Sequence, residues 1–359
     1  MQFVPPANDR SFPNLPMDIT FKLWRQQPGQ APRFQDYVLD VATGDTVLDA
    51  LLRLQGEQDG TIAFRKNCRN TICGSCAMRI NGRSTLACKE NCFQEVNRLK
   101  AHGILQTDGS EAARPVITVA PLGNLKVVKD LVVDMKPFWD GLKAIDPYVS
   151  TASRKVPERE FLQTPEERAK LDQTGNCILC GACYSDCNAL EMNPQFVGPH
   201  ALAKAYRTLA DSRDDRTVER IEQYNQGVNG VWGCTRCYYC NSSCPMEVAP
   251  LDQISKVKSF ILKRKTKHDS RAIRHRKVLL ELVKSGGWVD ERKFGIEVVS
   301  HSFRDLQGLL SLVPLGLRMI ASRKFPLSFE PSEGQPEVRS LIAAVQSQQT
   351  SKPDSAAQK

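Results

Sequence analysis

Twelve of the chain's thirteen cysteines fall into three groups with fixed internal spacing, and that pattern constrains the fold more than any other feature of the sequence. The first group is Cys68, Cys73, Cys76 and Cys88, spaced C-x4-C-x2-C-x11-C. The second is Cys177, Cys180, Cys183 and Cys187, spaced C-x2-C-x2-C-x3-C. The third, Cys234, Cys237, Cys240 and Cys244, repeats that spacing 57 residues later and is followed by Pro245. Neighbours within a group are too close in sequence to bridge separate parts of a fold, and the total is odd. Ligation by thiolates is therefore a better use of them than disulfides.

The first three cysteines of the first group have the plant-type spacing for a 2Fe-2S cluster, in which one short loop wraps the sulfides and presents several thiolates to two irons. Gly74 is expected where backbone must approach inorganic sulfur closely. Asn81-Gly82, between AMRI and STLA, is a two-residue hairpin signal that returns the chain so that Cys88 supplies the fourth ligand. The alternative is structural zinc, which prefers two well-separated cysteine pairs around one tetrahedral ion. Cys92 has no ligand partner in this pattern and is expected to be a small buried hydrophobe.

The second and third groups form the bacterial ferredoxin run twice, and in that arrangement the fourth cysteine of each run serves the other run's cluster. This assigns one 4Fe-4S cluster to Cys177, Cys180, Cys183 and Cys244. The other takes Cys187, Cys234, Cys237 and Cys240 as a second 4Fe-4S cluster, or a 3Fe-4S cluster without Cys237. Three clusters in one chain make a row of redox centres, which is a conduit between a donor and an acceptor.

At 359 residues the chain can bury more than one core. Residues 17–25 and 34–41 alternate as a strand hairpin. Asp45 is expected to cap a helix through TVLDALLRLQ, and TIAFR, 114–121 and 125–133 read as further strands. After Met135 the strand pattern gives way to helical stretches at 165–171, 199–214 and 217–226, separated by cysteine-rich loops. Further helices are expected over about 252–267, 271–284 and 303–320. The tail from Gln346 to Lys359 reads as disordered. The resulting division is 17–135, 136–265, 266–345 and 346–359.

Residues 1–16 lack the apolar core and basic start of a secretory signal, so the expectation is no such leader and a reducing compartment. The longest apolar stretch, Leu309 to Ile320, is too short to span a bilayer and contains Pro314. Ten Lys or Arg residues and one acid, Asp269, lie between Lys256 and Lys277. Such a run suits an anionic lipid surface, an acidic partner, nucleic acid or plain solvent. The five histidines, His102, His200, His268, His275 and His301, have no ligand spacing and read as packed or surface residues. Met192 and Trp232 also read as packing residues. A zinc-stabilised nucleic-acid-binding protein is the competing class, but the cysteine groups lack zinc-finger spacing and ligand histidines.

With these motifs placed, the chain resembles the iron-sulfur subunit of succinate dehydrogenase and fumarate reductase over about residues 17 to 255. The likeness rests on CRNTICGSCAMRINGRSTLAC, KVVKDLVVDM, CILCGACYSDC, the ADSRDDRTVERI segment and CNSSCP. It implies an α+β chain: an N-terminal β-grasp, ferredoxin-like 2Fe-2S domain, then an all-α ferredoxin-like domain with two cubane clusters, then a helical C-terminal extension. It also implies a flavoprotein partner carrying FAD, a quinone pool, membrane-anchor subunits, and a peripheral place on the cytoplasmic face of the cell membrane, with no nucleic acid. No acid, base or nucleophile for substrate chemistry is expected on this chain; another flavoprotein dehydrogenase, thiol-dependent or glycolate-oxidase-like, is the runner-up setting. Two departures stand out. That family typically has an aliphatic residue where Cys237 stands, and a Trp and a His that help form the quinone pocket where Met192 and Thr235 stand. Together with the 271–291 segment, these resemble the branch whose anchor partners are similar to heterodisulfide reductase subunits.

Overall fold

The computed structural model describes residues 16–264, 271–301, 304–325 and 328–351. They form two compact units, one ending at Ile261 and one beginning at Leu262.

The first unit opens with β1 (Met17–Arg25) and β2 (Arg33–Val41), an antiparallel pair in register from Met17 opposite Val41 to Arg25 opposite Arg33. Ile19, Phe21 and Leu23 alternate inward from β1, as do Tyr37, Leu39 and Val41 from β2. They meet Val47, Leu48 and Leu51 of α1 (Val47–Arg53), which continues as a π-helical turn over Leu54–Gln58. Each such side chain taken fully out of water contributes about 1.5–3 kcal/mol. Thr46, one residue after the expected Asp45, caps α1: its hydroxyl accepts from Asp49 N, and the Asp49 carboxylate accepts in return from Thr46 N at 3.1 Å. The reciprocal box outcompetes Asp45, whose carboxylate is turned back to Ala42 N.

β3 (Ala77–Ile80), β4 (Arg83–Leu86), α2 (Cys92–Ala101) and β5 (Val116–Ala120) complete a five-stranded mixed sheet of order β2-β1-β5-β3-β4, in which β1 and β5 run parallel. A separate two-stranded ribbon pairs β6 (Val127–Lys129) with β7 (Val132–Val133). TIAFR is not a strand. Its polar groups are tied instead to the buried Arg25: Thr61 and Asp59 both accept from that guanidinium, and Asp130, at 3.2 Å from Arg25 Nε, also accepts from Ala63 N. A buried cation draws this segment into a loop around itself.

Beyond Met135 the unit is helical: α3 (Lys136–Lys143), α4 (Pro165–Gly175), α5 (Ala182–Ser185), α6 (Asn188–Met192), α7 (Pro199–Ala210), α8 (Thr217–Tyr224), α9 (Tyr239–Ser242) and α10 (Pro250–Lys263). The ADSRDDRTVERI segment owes its charge pattern to a fully buried ion pair, Arg220 with Asp214 at 2.9 Å. Arg220 also donates to the carbonyls of Asp146 and Tyr148, fastening the 146–150 loop to α8.

The second unit contains α11 (Arg271–Gly286), α12 (Glu291–Val299), α13 (Leu306–Ala321) and α14 (Gln335–Ser351). α14 corrects the expected tail: 346–351 are helical, because an apolar i, i+3, i+4 pattern at Val338, Leu341, Ile342 and Val345 carries the helix through. Residues 352–359 and the 265–270 part of the basic run lie outside the described residues.

Candidate iron-sulfur sites

The first cysteine group lies on a loop whose backbone turns left-handed at Arg69 (φ +60°), Thr71 (φ +69°) and Gly74 (φ +71°). Alternating left-handed residues turn successive N–H groups to one side, the arrangement that cradles anions and cluster sulfurs. Cys68 Sγ accepts from Cys73 N at 3.3 Å and Asn70 N at 3.5 Å, and Cys73 Sγ accepts from Cys68 N at 3.4 Å and Ser75 N at 3.5 Å. These donors, Asn70 N foremost, bring the Cys68 thiol down to about 6, so it is readily a thiolate. Cys76, behind it, is pushed up to about 12 by burial.

The β3–β4 hairpin turns through Asn81 (φ +49°) and Gly82 (φ +78°), both left-handed as a type I′ turn demands. Asn81 Oδ1 accepts from Thr118 N, anchoring the turn to β5. The return strand brings Ala87 N to the Cys76 carbonyl at 3.0 Å, which sets Cys88 beside Cys76, with the Thr71 hydroxyl 3.9 Å from Cys88 Sγ. The expected hairpin thus gathers all four cysteines of this group. Cys92 is buried in the core and pushed up to about 12 by burial, which keeps it an inert thiol.

Gly74 has a different neighbour from the one its sequence suggested. A Cβ there would stand 2.9 Å from Cys180 Cα and Cβ and 3.2 Å from the Ile178 carbonyl oxygen. Its smallness admits the second cysteine run to the first loop.

The two later runs fold alike. Left-handed residues fall at Leu179 (φ +55°) and Gly181 (φ +87°) in one, and at the equivalent Arg236 (φ +62°) and Tyr238 (φ +71°) in the other. A one-turn helix follows each, and these two, α5 and α9, pack together. Gly181 is confined by Leu122 and Met135, both 3.4 Å from a built Cβ, whereas Tyr238 faces solvent and tolerates a side chain. The sequence repeat is therefore a backbone repeat.

Cys177, Cys180, Cys183 and Cys244 line one cavity with Ile178, Leu179 and Val248. Cys187, Cys234, Cys237 and Cys240 line a second with Phe196, Leu251 and Ile254. The fourth cysteine of each run thus faces the other run's first three. The walls are apolar, and burial pushes Cys180 and Cys240 up to about 12, Cys187 to about 11, and Cys183 well above its ordinary value. Such thiols stay protonated until a metal displaces the proton. Cys244 Sγ accepts from Val248 N at 3.4 Å. Among the described residues, no three His, Cys, Asp or Glu side chains are gathered tightly enough to enclose a single metal ion.

Asp186, missed from sequence, fastens all three cysteine-bearing segments. Its carboxylate accepts from Ser84 N (3.1 Å) and Ser84 Oγ (2.6 Å) on β4 and from Ser243 Oγ (2.6 Å) beside Cys244, and pairs with Arg79 at 3.7 Å. Asn124 adds hydrogen bonds from its amide to the carbonyls of Tyr184, Ser185 and Cys187. The available signal was a lone acid in an otherwise uncharged CILCGACYSDC.

Met192 is 85% exposed, so it is not a packing residue, while Thr235 lines the second cavity. Trp232 donates to Asn225 Oδ1 at 2.7 Å and lies under Lys258. His200 is fully buried, stacked on Phe138 with 3.9 Å between ring centroids, and its Nε2 donates to the Phe138 carbonyl. His268 lies outside the described residues.

Two family models match the chain: a 2Fe-2S iron-sulfur cluster binding domain over residues 20–140 and a 4Fe-4S dicluster domain over 173–248. The mitochondrial succinate dehydrogenase (ubiquinone) iron-sulfur subunit 2 of Oryza sativa subsp. japonica is 37% identical over 246 residues, which cover 67% of this chain and 74% of that one. Subunit 3 of Arabidopsis thaliana is 34% identical over 244 residues, with the same coverage of each. In fold, the chain matches one solved in the Mycobacterium smegmatis Sdh1 complex in the apo form, with a TM-score of 0.59, 24% identity, and coverage of 71% of this chain and 100% of that one.

Proposed function

The chain belongs to the succinate dehydrogenase iron-sulfur subunit family and is an electron-transfer subunit, and we propose that it does this work through three clusters held by twelve cysteines. In this reading Cys68, Cys73, Cys76 and Cys88 hold a 2Fe-2S cluster. Cys177, Cys180, Cys183 and Cys244 hold a 4Fe-4S cluster, and Cys187, Cys234, Cys237 and Cys240 hold a second. The observation that carries it is the crossed lining of the two cavities, each with four cysteines and a mostly apolar wall. The left-handed residues on the three loops, the N–H donors aimed at Cys68 and Cys73, and the thiol chemistry of the donor set all suit cluster sulfur.

When bound, such clusters supply one-electron donor and acceptor centres. The chain's own part is to hold them in line and tune them. Backbone N–H groups stabilise negative charge on Cys68 and Cys73, while the second cavity puts Cys187 and Cys240 in low-polarity surroundings. The contact of Gly74 with Cys180 brings the ligand loops of the first two centres together. The mixed sheet with β1 parallel to β5 is read as a β-grasp domain, and the segment from α3 to α10 as the helical ferredoxin domain. Working boundaries are 17–135, 136–265 and 266–345.

The partners in this reading are a flavoprotein subunit with FAD, a quinone, and anchor subunits similar to those of heterodisulfide reductase. The complex sits peripherally on the cytoplasmic face of the membrane; among the described residues, no helix is long and apolar enough to cross one. Copurification with the flavoprotein tests the assignment: succinate should bleach the clusters' visible absorbance in the complex but not in the isolated chain. A complex whose clusters stay oxidised with succinate yet respond to another two-electron donor would overturn it.

A further inference from the structure

α13 carries an apolar stripe that the described residues of its own unit leave uncovered. Leu306, Leu310, Val313, Leu317 and Ile320 recur at intervals of four and three and fall within an arc of about 80° at 3.6 residues per turn. Their exposure runs from 49% to 69%, and no residue of α13 is buried. The helix is nonetheless seated in its unit. Leu309, Leu312 and Met319 on the neighbouring arc are half-buried, and Gly308 sits so close to α12 that a Cβ there would meet the Val299 carbonyl oxygen at 2.4 Å. Gln307, Ser311 and Arg318 occupy the polar side.

Charge indicates what covers the stripe. From Leu306 to Phe325 there is no acid, while Arg318, Arg323 and Lys324 are all exposed cations, with Arg304 ahead of the helix. A coiled-coil seam against another protein helix is ordinarily flanked by charges of both signs; a helix lying in the headgroup layer of an anionic bilayer pairs an aliphatic face with cations alone. At 16 residues α13 is about 24 Å long, too short to span the hydrocarbon but sufficient to lie along its surface. It also lies beyond the two family-model matches, the second of which ends at residue 248.

We propose that α13 is an in-plane membrane-surface helix that docks this chain directly onto anionic lipid, with Leu306, Leu310, Val313, Leu317 and Ile320 entering the headgroup boundary and Arg318, Arg323 and Lys324 facing lipid phosphate. This does not depend on the cluster assignment, and its readout does not involve succinate.

The test is sedimentation of the full-length, cluster-loaded chain with phosphatidylcholine vesicles and with vesicles containing phosphatidylglycerol. The chain should partition onto the anionic vesicles and come off as salt is raised. The exposed-site double variant Leu310→Gln/Leu317→Gln should bind about a hundredfold more weakly. Neutralising Arg318, Arg323 and Lys324 to Gln should cost about fivefold each. Unchanged cluster absorbance and melting temperature will show that both variants fold. Failure of the unaltered chain to bind, equal binding to neutral vesicles, or unaltered binding by either variant would overturn the proposal. So would a dimer of the unaltered chain that Leu310→Gln/Leu317→Gln converts to monomer, because a second copy would then own the stripe.

Discussion

Gly74 lies against Cys180, with room for no more than a hydrogen between them: a Cβ would stand 2.9 Å from both Cα and Cβ of the cysteine. Residues more than a hundred positions apart, one in the first cysteine loop and one in the second, share a contact that only glycine permits.

Gly74→Ala should therefore lower stability by about 2–4 kcal/mol, combining overpacking against backbone with a left-handed φ of +71° on a residue that has a Cβ. Denaturant unfolding of the loaded protein checks this. A distance-dependent magnetic interaction between the first two centres, measured by EPR, should weaken in the same variant.

Asp186→Ala leaves Ser84 N without its acceptor in a mostly buried site, and Ser84 Oγ and Ser243 Oγ with only Ser185 Oγ and the Tyr239 carbonyl in place of the carboxylate that joins them. A loss of about 2–4 kcal/mol is expected, with reduced iron retention. Asp186→Asn, which keeps one acceptor oxygen, should retain about half of that stability.

Cys237 is the one exposed cysteine of the thirteen. Cys237→Ser should leave three thiolates, Cys187, Cys234 and Cys240, and give a stoichiometric 3Fe-4S EPR signal in the oxidised protein that the unaltered chain lacks. Such a signal in the unaltered chain would mean that Cys237 does not ligate.

Burial lowers the buried His200 to about 4, against an ordinary value of 6.5, and its Nδ1 has no hydrogen-bond partner. The fold holds the ring neutral, so as pH falls from 6.5 towards 4 the unfolded chain takes up a proton that the folded chain refuses. Stability is present above pH 6.5 and is lost through that window by about 3 kcal/mol. His200→Gln should be less stable at neutral pH but show a flatter slope in melts from pH 7 to 4.

The grouping of the cysteines is legible because their spacing repeats with the backbone turns that gather them, and the Asn81-Gly82 hairpin because its turn demands two left-handed residues. Strands β1 and β2 announced themselves by alternation. The TIAFR segment misleads because its β-branched composition says nothing of the buried Arg25, which claims Asp59 and Thr61 from 34 and 36 positions away and Asp130 from 105. Asp186 and the Gly74 contact were invisible for a related reason: both act between segments about a hundred residues apart, and local pattern carries no trace of such pairing. Residue type alone makes Met192 a packing residue, and only the fold shows its side chain in solvent.

Elemental analysis of the anaerobically purified full-length chain tests the cluster assignment most directly. Three clusters on twelve sulfurs require about ten iron atoms and about ten acid-labile sulfides per chain, as two, four and four, without stoichiometric zinc. Zinc in place of iron, or iron and sulfide sufficient for only one or two of the three sites, would contradict it.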